Sequence, residues 1–201
     1  MAHEITLYGL GPTRSARCRW TLLELDVPFD YVEDRALIGS DELRPLHPQA
    51  KFPVAVIDGE PLFESAAICT VLCDLVPGNS LLARPGTRER ALHEQWTSFV
   101  LSEMEAYLWS NAKHTAFYPE EKRVAAVVEP NFEEFRNGAQ VLEDTLANQQ
   151  FLVGDTFSVT DIIAGWCVNW GRRQGQLEPF PNLRAYLTRL FERELCTLNP
   201  E

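Results

Sequence analysis

Around Pro77 the hydrophobic period of this 201-residue chain changes, and that change limits the folds open to it. Before it, short apolar runs of strand length alternate with helix-period segments, the pattern of an α/β unit. From Thr87 onward every long segment repeats its apolar residues at helical spacing. Between the two lies "PGNSLLARPGT", Pro77 to Thr87, rich in Pro and Gly and without a period, where a domain boundary is expected. The chain is long enough for two small domains, and 45% apolar residues can supply a core for each. The expectation is an α/β domain over 1–78, a linker over 79–87 and an all-helical domain over 88–201.

In the first part "ITLYGL" reads as a strand, "RSARCRWTLLELD" as a helix and "FDYVED" as a second strand. Trp20, Leu22, Leu23 and Leu25 of that helix can face a sheet. "SDELRPLHPQAKFP" is polar and interrupted by Pro45 and Pro48, hence irregular. Asp58-Gly59 between "PVAVID" and "PLFE" is a strong hairpin signal, and "SAAICTVLCDLV" is apolar enough for a helix covered on both sides. In the second part helices are expected from Arg88 to Lys113, from Val128, from Ser158 and from Pro181. One signal there is sharp. In "TFSVTDII", Ser158 as N-cap and Asp161 three residues on form a capping pair, while Phe157 and Ile162 form a hydrophobic staple around it. Its role is folding.

Charge excludes some partners. Eighteen Lys and Arg against 29 Asp and Glu give a net charge of -11, unsuited to tracking a phosphate backbone, so no nucleic-acid partner is expected. No apolar run reaches the ~18 residues of a membrane span, and "MAHEITLYGL" lacks the basic and apolar regions of a signal peptide. A cytoplasmic protein without a membrane partner is expected. Cys18, Cys69, Cys73, Cys167 and Cys196 show neither CxxC nor Cys/His zinc spacing, and the four histidines show no metal spacing, so no metal is expected.

Three stretches, "LYGLGPTRSARCRWTLLELDVPFD", "HPQAKFPVAVIDGEPLFESAAICTVL" and "FLVGDTFSVTDIIAGW", resemble the cytosolic glutathione transferase family, and most closely those members with a Ser or Thr at the first helix start. The resemblance spans almost the whole chain. It implies a thioredoxin-like N-terminal domain, a helical-bundle C-terminal domain, a homodimer, and detoxifying transfer of glutathione, as co-substrate, to a small hydrophobic electrophile.

The residues of the first stretch suit that chemistry. A thiol with a pKa of ~8.5 is only slightly ionised at neutral pH, and lowering that pKa by ~2 units takes about 2.7 kcal/mol. A helix N-terminus with a hydroxyl aimed at the sulfur can supply this. By the resemblance Thr13 is the candidate donor and Ser15 the second hydroxyl of "PTRS"; from local sequence alone, Thr13 reads first as a simple helix cap. Cys18 sits more than a turn inside the helix, away from the N–H groups that would activate it, and reads as structural. Arg14 and Arg17 read as cations of an exposed helix face.

By the same resemblance, Phe52 turns its backbone toward the cysteinyl part of glutathione before a cis Pro53, although a trans proline opening a strand is the commoner local case. Ser65 would take the γ-glutamyl carboxylate, Glu64 the ammonium and Lys51 the glycyl carboxylate. Without the motif, Ser65 is an ordinary helix cap and Lys51 a solvated lysine. Tyr107, Trp109, Phe117 and Trp166 are aromatics at helical spacing and read as core or as pocket. Two other readings stay open: a glutathione-dependent disulfide reductase or peroxidase, and a non-catalytic binding module of the same fold.

Overall fold

A computed structural model describes residues 3–198. The chain divides into two compact units, one reaching to Ala83 and including the segment from Arg193, the other Arg84–Glu192. The sequence reading carries the second domain through to 201; among the described residues the segment from Arg193 instead groups with the first unit. There the Arg193 guanidinium donates to both carboxylate oxygens of Glu24, at 2.9 and 2.7 Å, and the Thr197 hydroxyl donates to the Ala16 carbonyl at 2.8 Å.

The first unit holds β1 (Ile5–Tyr8), α1 (Ser15–Glu24), β2 (Asp30–Val32), β3 (Val54–Ile57), β4 (Glu60–Phe63) and α2 (Ser65–Asp74). The sheet order is β2-β1-β3-β4, with β1 parallel to β2 and antiparallel to β3, and β3 antiparallel to β4. This is the thioredoxin-like arrangement expected. The β3–β4 connection is the two-residue turn that Asp58-Gly59 signals, both residues with positive φ, 51° and 86°. Pro61 is tolerated in β4 because that strand is the sheet edge. Trp20 and Leu22 are fully buried as expected, whereas Leu23 and Leu25 are only half-buried.

The second unit is helical throughout: α3 (Arg88–Val100), α4 (Ala106–Ala112), α5 (Val128–Leu146), α6 (Val159–Arg173) and α7 (Pro181–Phe191). The long segment from Arg88 that reads as one helix winds on to Phe117, but π-helical turns at Leu101–Glu105 and Lys113–Phe117 interrupt it. Gly138 of α5 lies against the first of these: a Cβ there would meet the Glu103 carbonyl oxygen at 2.7 Å. The core is built from Met104, Phe135, Leu142, Ile162, Leu183 and Leu187. No described helix is long and apolar enough to cross a membrane.

The capping pair of α6 forms as read. The Asp161 carboxylate accepts from the Ser158 N–H and hydroxyl, each at 2.9 Å, and both Phe157 and Ile162 are buried. A second cap has no local signal. Glu143 of α5, 7% exposed, accepts the N–H of Asn182 and of Leu183 at 2.9 Å each, placing an anion on the first turn of α7. Glu143→Ala leaves those two N–H groups unpaired and is expected to cost about 2–3 kcal/mol by urea unfolding, against less than about 1 kcal/mol for an exposed glutamate such as Glu129.

Candidate active site

The strand register brings three predicted stretches to one end of the sheet. Tyr8, the last residue of β1, pairs with Val54, the first of β3, and Val54 pairs with Phe63, the last of β4. The chain therefore leaves β1 into 9–15, enters β3 from 51–53 and leaves β4 into 64–65, all at the same edge. Thr13 and Ser15, Lys51 to Pro53, and Glu64 with Ser65 are in this way drawn from 53 residues of sequence to one rim.

At the first stretch the helix starts later than the sequence places it. Thr13 lies before α1 because it is bound backwards: its N–H donates to the Leu10 carbonyl at 3.0 Å and its hydroxyl to the same oxygen at 2.5 Å, closing a turn over the cis Gly11–Pro12 bond. The N-cap residue is Arg14, which makes no side-chain capping bond.

The hydroxyl protons can be assigned by exclusion. A carbonyl only accepts, so the single Thr13 proton goes to Leu10. The 2.9 Å contact between the two hydroxyls is then donated by Ser15, whose N–H also reaches Thr13 Oγ1 at 3.3 Å. Ser15 Oγ in turn accepts from the Leu10 N–H at 3.2 Å. Ser15 is fully buried and Thr13 half-exposed, so Thr13 alone of the pair can meet a ligand. Gly9 is required beside them: a Cβ there would stand 2.7 Å from the Ser15 Cβ and 3.0 Å from the Tyr31 ring.

At the third stretch Glu64 has φ 74° and ψ 109°, a conformation costly for a residue with a side chain, yet it is exposed. It precedes α2, whose first turn no side chain caps. Arg17 departs from the sequence reading. It is fully buried, not on an exposed face, and its guanidinium donates to the Ser65 hydroxyl at 3.2 Å. Ser65 itself is 5% exposed. Because its oxygen accepts from Arg17, its own hydrogen remains free to donate elsewhere. The Cys18 thiol donates to the Ser65 carbonyl at 3.7 Å, and burial together with the neighbouring Cys69 pushes its pKa well up. An inert, structural Cys18 fits both facts.

At the middle stretch the Phe52–Pro53 bond is cis, Pro53 is buried, and Phe52 packs with Tyr8 and Leu46 on the small core of Leu43, Ala50 and Val54. Lys51 is exposed, its ammonium donating to the Gln49 side chain at 2.6 Å. His47, which the sequence leaves without a role, belongs to the same rim. Its ring lies 4.9 Å from that of Phe63, and burial holds its pKa below the usual imidazole range, partly offset by the Glu64 carboxylate. Only the spacing His47-Pro48 ahead of Lys51 could have pointed to it. No cluster of metal-ligating side chains occurs among the described residues.

Comparison with known proteins agrees with this fold. Residues 13–80 match the family model described as the glutathione S-transferase N-terminal domain, and residues 105–194 the model described as its C-terminal domain. The chain is similar to glutathione transferase GST 23 of Zea mays, 28% identical over 155 residues, which cover 77% of this chain and 66% of the maize protein. Glutathione S-transferase U22 of Arabidopsis thaliana is 26% identical over 205 aligned positions, covering 96% of this chain and 88% of the relative. Among solved structures, glutathione transferase URE2P6 of Phanerochaete chrysosporium in complex with oxidized glutathione superposes with a TM-score of 0.84 at 24% identity, over 96% of this chain and 93% of that one.

Proposed function

Because the chain belongs to the glutathione S-transferase family, we propose that it is an enzyme that ionises the glutathione thiol and adds the thiolate to a small hydrophobic electrophile. The observation that carries this reading is the Tyr8–Val54–Phe63 register, which sets the half-exposed Thr13 hydroxyl, the backbone of Phe52 and the uncapped start of α2 on one rim. The residues fit an anionic tripeptide with one ammonium. Ser65, backed by the buried Arg17, offers a hydroxyl hydrogen and a helix N-terminus to the γ-glutamyl carboxylate. Glu64 takes the ammonium, Lys51 the glycyl carboxylate, and Phe52 before Pro53 offers its backbone to the cysteinyl unit.

The chemistry then falls to Thr13. When sulfur arrives, the Thr13 proton turns from the Leu10 carbonyl to the thiolate, and that carbonyl keeps the Thr13 N–H as a donor at 3.0 Å. The switch costs little because no acceptor is stripped bare. Ser15 holds Thr13 in place by donating to its oxygen. The thiol proton is lost to bulk water, the thiolate lone pair forms the new bond to a soft carbon electrophile, and the leaving group departs with the bonding pair it held. A cytoplasmic homodimer belongs to the same proposal, and sedimentation of the purified protein checks the dimer.

Calorimetric titration with glutathione and with its disulfide, followed by an aryl halide conjugation assay, tests the reading. Binding of glutathione with conjugation supports it. Disulfide turnover without conjugation would make the protein a reductase. Absence of binding would leave a non-catalytic module.

A further inference from the structure

The first unit contains a cavity at the far end of its helices from the rim just described. It holds about 200 Å³ and opens where α1 and α2 end, lined by ten residues. Nine of these are apolar, among them Leu22, Leu25 and Val27 from α1 and the turn after it, and Leu72 and Val76 from α2 and its exit. Leu72, the first α2 residue to line it, lies seven positions along the helix from Ser65, so about 10 Å of helix separates this cavity from the rim.

Its single polar side chain is already engaged. His3 at the edge of the cavity donates through Nδ1 to the Asp58 carboxylate at 2.6 Å, and the same carboxylate accepts the Glu4 N–H at 2.9 Å. Hydrogen bonding to His3 and to the Glu4 N–H holds the Asp58 pKa below the usual carboxylate range, so an anion, not a donor, stands behind the histidine. The cavity therefore presents no unpaired cation to an acid and no acceptor cluster to an amine. Apolar walls of this extent offer a water few polar partners and an apolar ring close contact; about 150 Å³ suffices for benzene in an enclosed apolar cavity.

We infer that this cavity is a second binding site, separate from the glutathione rim, for a neutral apolar molecule of one ring or two fused rings. Leu22 and Leu72 form its fully buried floor, and the half-buried Leu25, Val27 and Val76 form its mouth. Affinity comes from apolar area alone, so a one-ring ligand binds with a dissociation constant on the order of 0.1–1 mM.

The test is a titration of the full-length protein with fluorobenzene, followed by fluorine NMR and by amide shifts. The expected result is saturable binding with shift changes concentrated at 22–28 and 72–77. Val27→Trp, which fills the mouth from a half-buried position, is expected to weaken binding roughly tenfold or more. Val76→Ala, which enlarges the space, keeps fluorobenzene binding and admits naphthalene more tightly than the parent does. Amide spectra of both variants report their folding, and either one alone decides the matter if the other fails to fold. Saturable binding that maps to other residues, binding that Val27→Trp leaves intact, or no binding in the millimolar range would overturn the inference.

Discussion

Thr13→Ala is expected to lower kcat/KM for conjugation about 10- to 100-fold and to raise the pKa of the bound glutathione thiol by about 1–2 pH units. Holding a thiol of pKa ~8.5 mostly ionised at neutral pH takes about 2.7 kcal/mol. Helix-end dipoles supply roughly 0.3–1 kcal/mol near a surface, and a hydrogen bond to a charged group roughly 1.5–3 kcal/mol. The hydroxyl is the larger share, so its loss is felt both as a less ionised thiol and as slower turnover. Thr13→Ser, which keeps the oxygen and its proton, is expected to stay within about threefold of the parent.

Ser15→Ala separates positioning from contact. Ser15 is fully buried and acts through its 2.9 Å bond to Thr13 and the 3.2 Å bond it accepts from the Leu10 N–H, so a loss of a few-fold in kcat is expected with a smaller change in thiol pKa. Ultraviolet thiolate absorbance against pH reads the ionisation, and steady-state kinetics the rate. A thiol that titrates identically in Thr13→Ala and the parent would remove Thr13 from the mechanism.

The largest stability loss is expected at Asp161. Its carboxylate is fully buried and accepts four bonds: from the Leu152 N–H at 2.9 Å, the Tyr186 hydroxyl at 3.0 Å, and the Ser158 N–H and hydroxyl at 2.9 Å each. It thus joins the start of α6 to the 151–154 turn and to α7. Asp161→Ala strands four donors in one step, those of Leu152 and Tyr186 fully buried and the two of Ser158 half-buried, at roughly 1–3 kcal/mol for each one left unsatisfied in the interior, partly relieved by rearrangement. The net expectation is a loss of about 3–5 kcal/mol and a fall in Tm of about 10 °C or more. Ser158→Ala removes only the hydroxyl and should cost about 1 kcal/mol. Thermal unfolding followed by circular dichroism checks both; an Asp161→Ala loss as small as the Ser158→Ala loss would reduce Asp161 to an ordinary cap. Glutathione affinity per folded molecule should survive, since every proposed contact lies in the other unit.

The two kinds of residue in these predictions differ in how visible they are in sequence. Ser158 and Asp161 are three positions apart, and Asp58-Gly59 makes its turn from adjacent residues, so both can be read before any fold is known. The additional partners of Asp161, at Leu152 and Tyr186, are 9 and 25 positions away and leave no local trace. Thr13 and Ser15 are legible as a helix start with two hydroxyls, but not which proton goes where. That order depends on the Leu10 carbonyl turning back to meet Thr13, and the same turn delays the helix to Ser15.

Resemblance to the family singled out the stretches that meet at the rim, whereas the amino-acid sequence by itself determined the succession of an α/β unit and a helical unit, the hairpin and the α6 cap. These are set by hydrophobic period and by the conformational preferences of neighbouring residues, which act over a few positions. Only the tertiary structure decided that Arg17 is buried beneath Ser65, 48 positions away, that Glu143 caps α7 some 39 positions on, and that Arg193 returns to Glu24 across 169. An isolated Arg or Glu has the same intrinsic preferences wherever it stands. Its partner is chosen by packing, because a charge taken out of water must find a counterpart among whatever groups the fold has brought beside it.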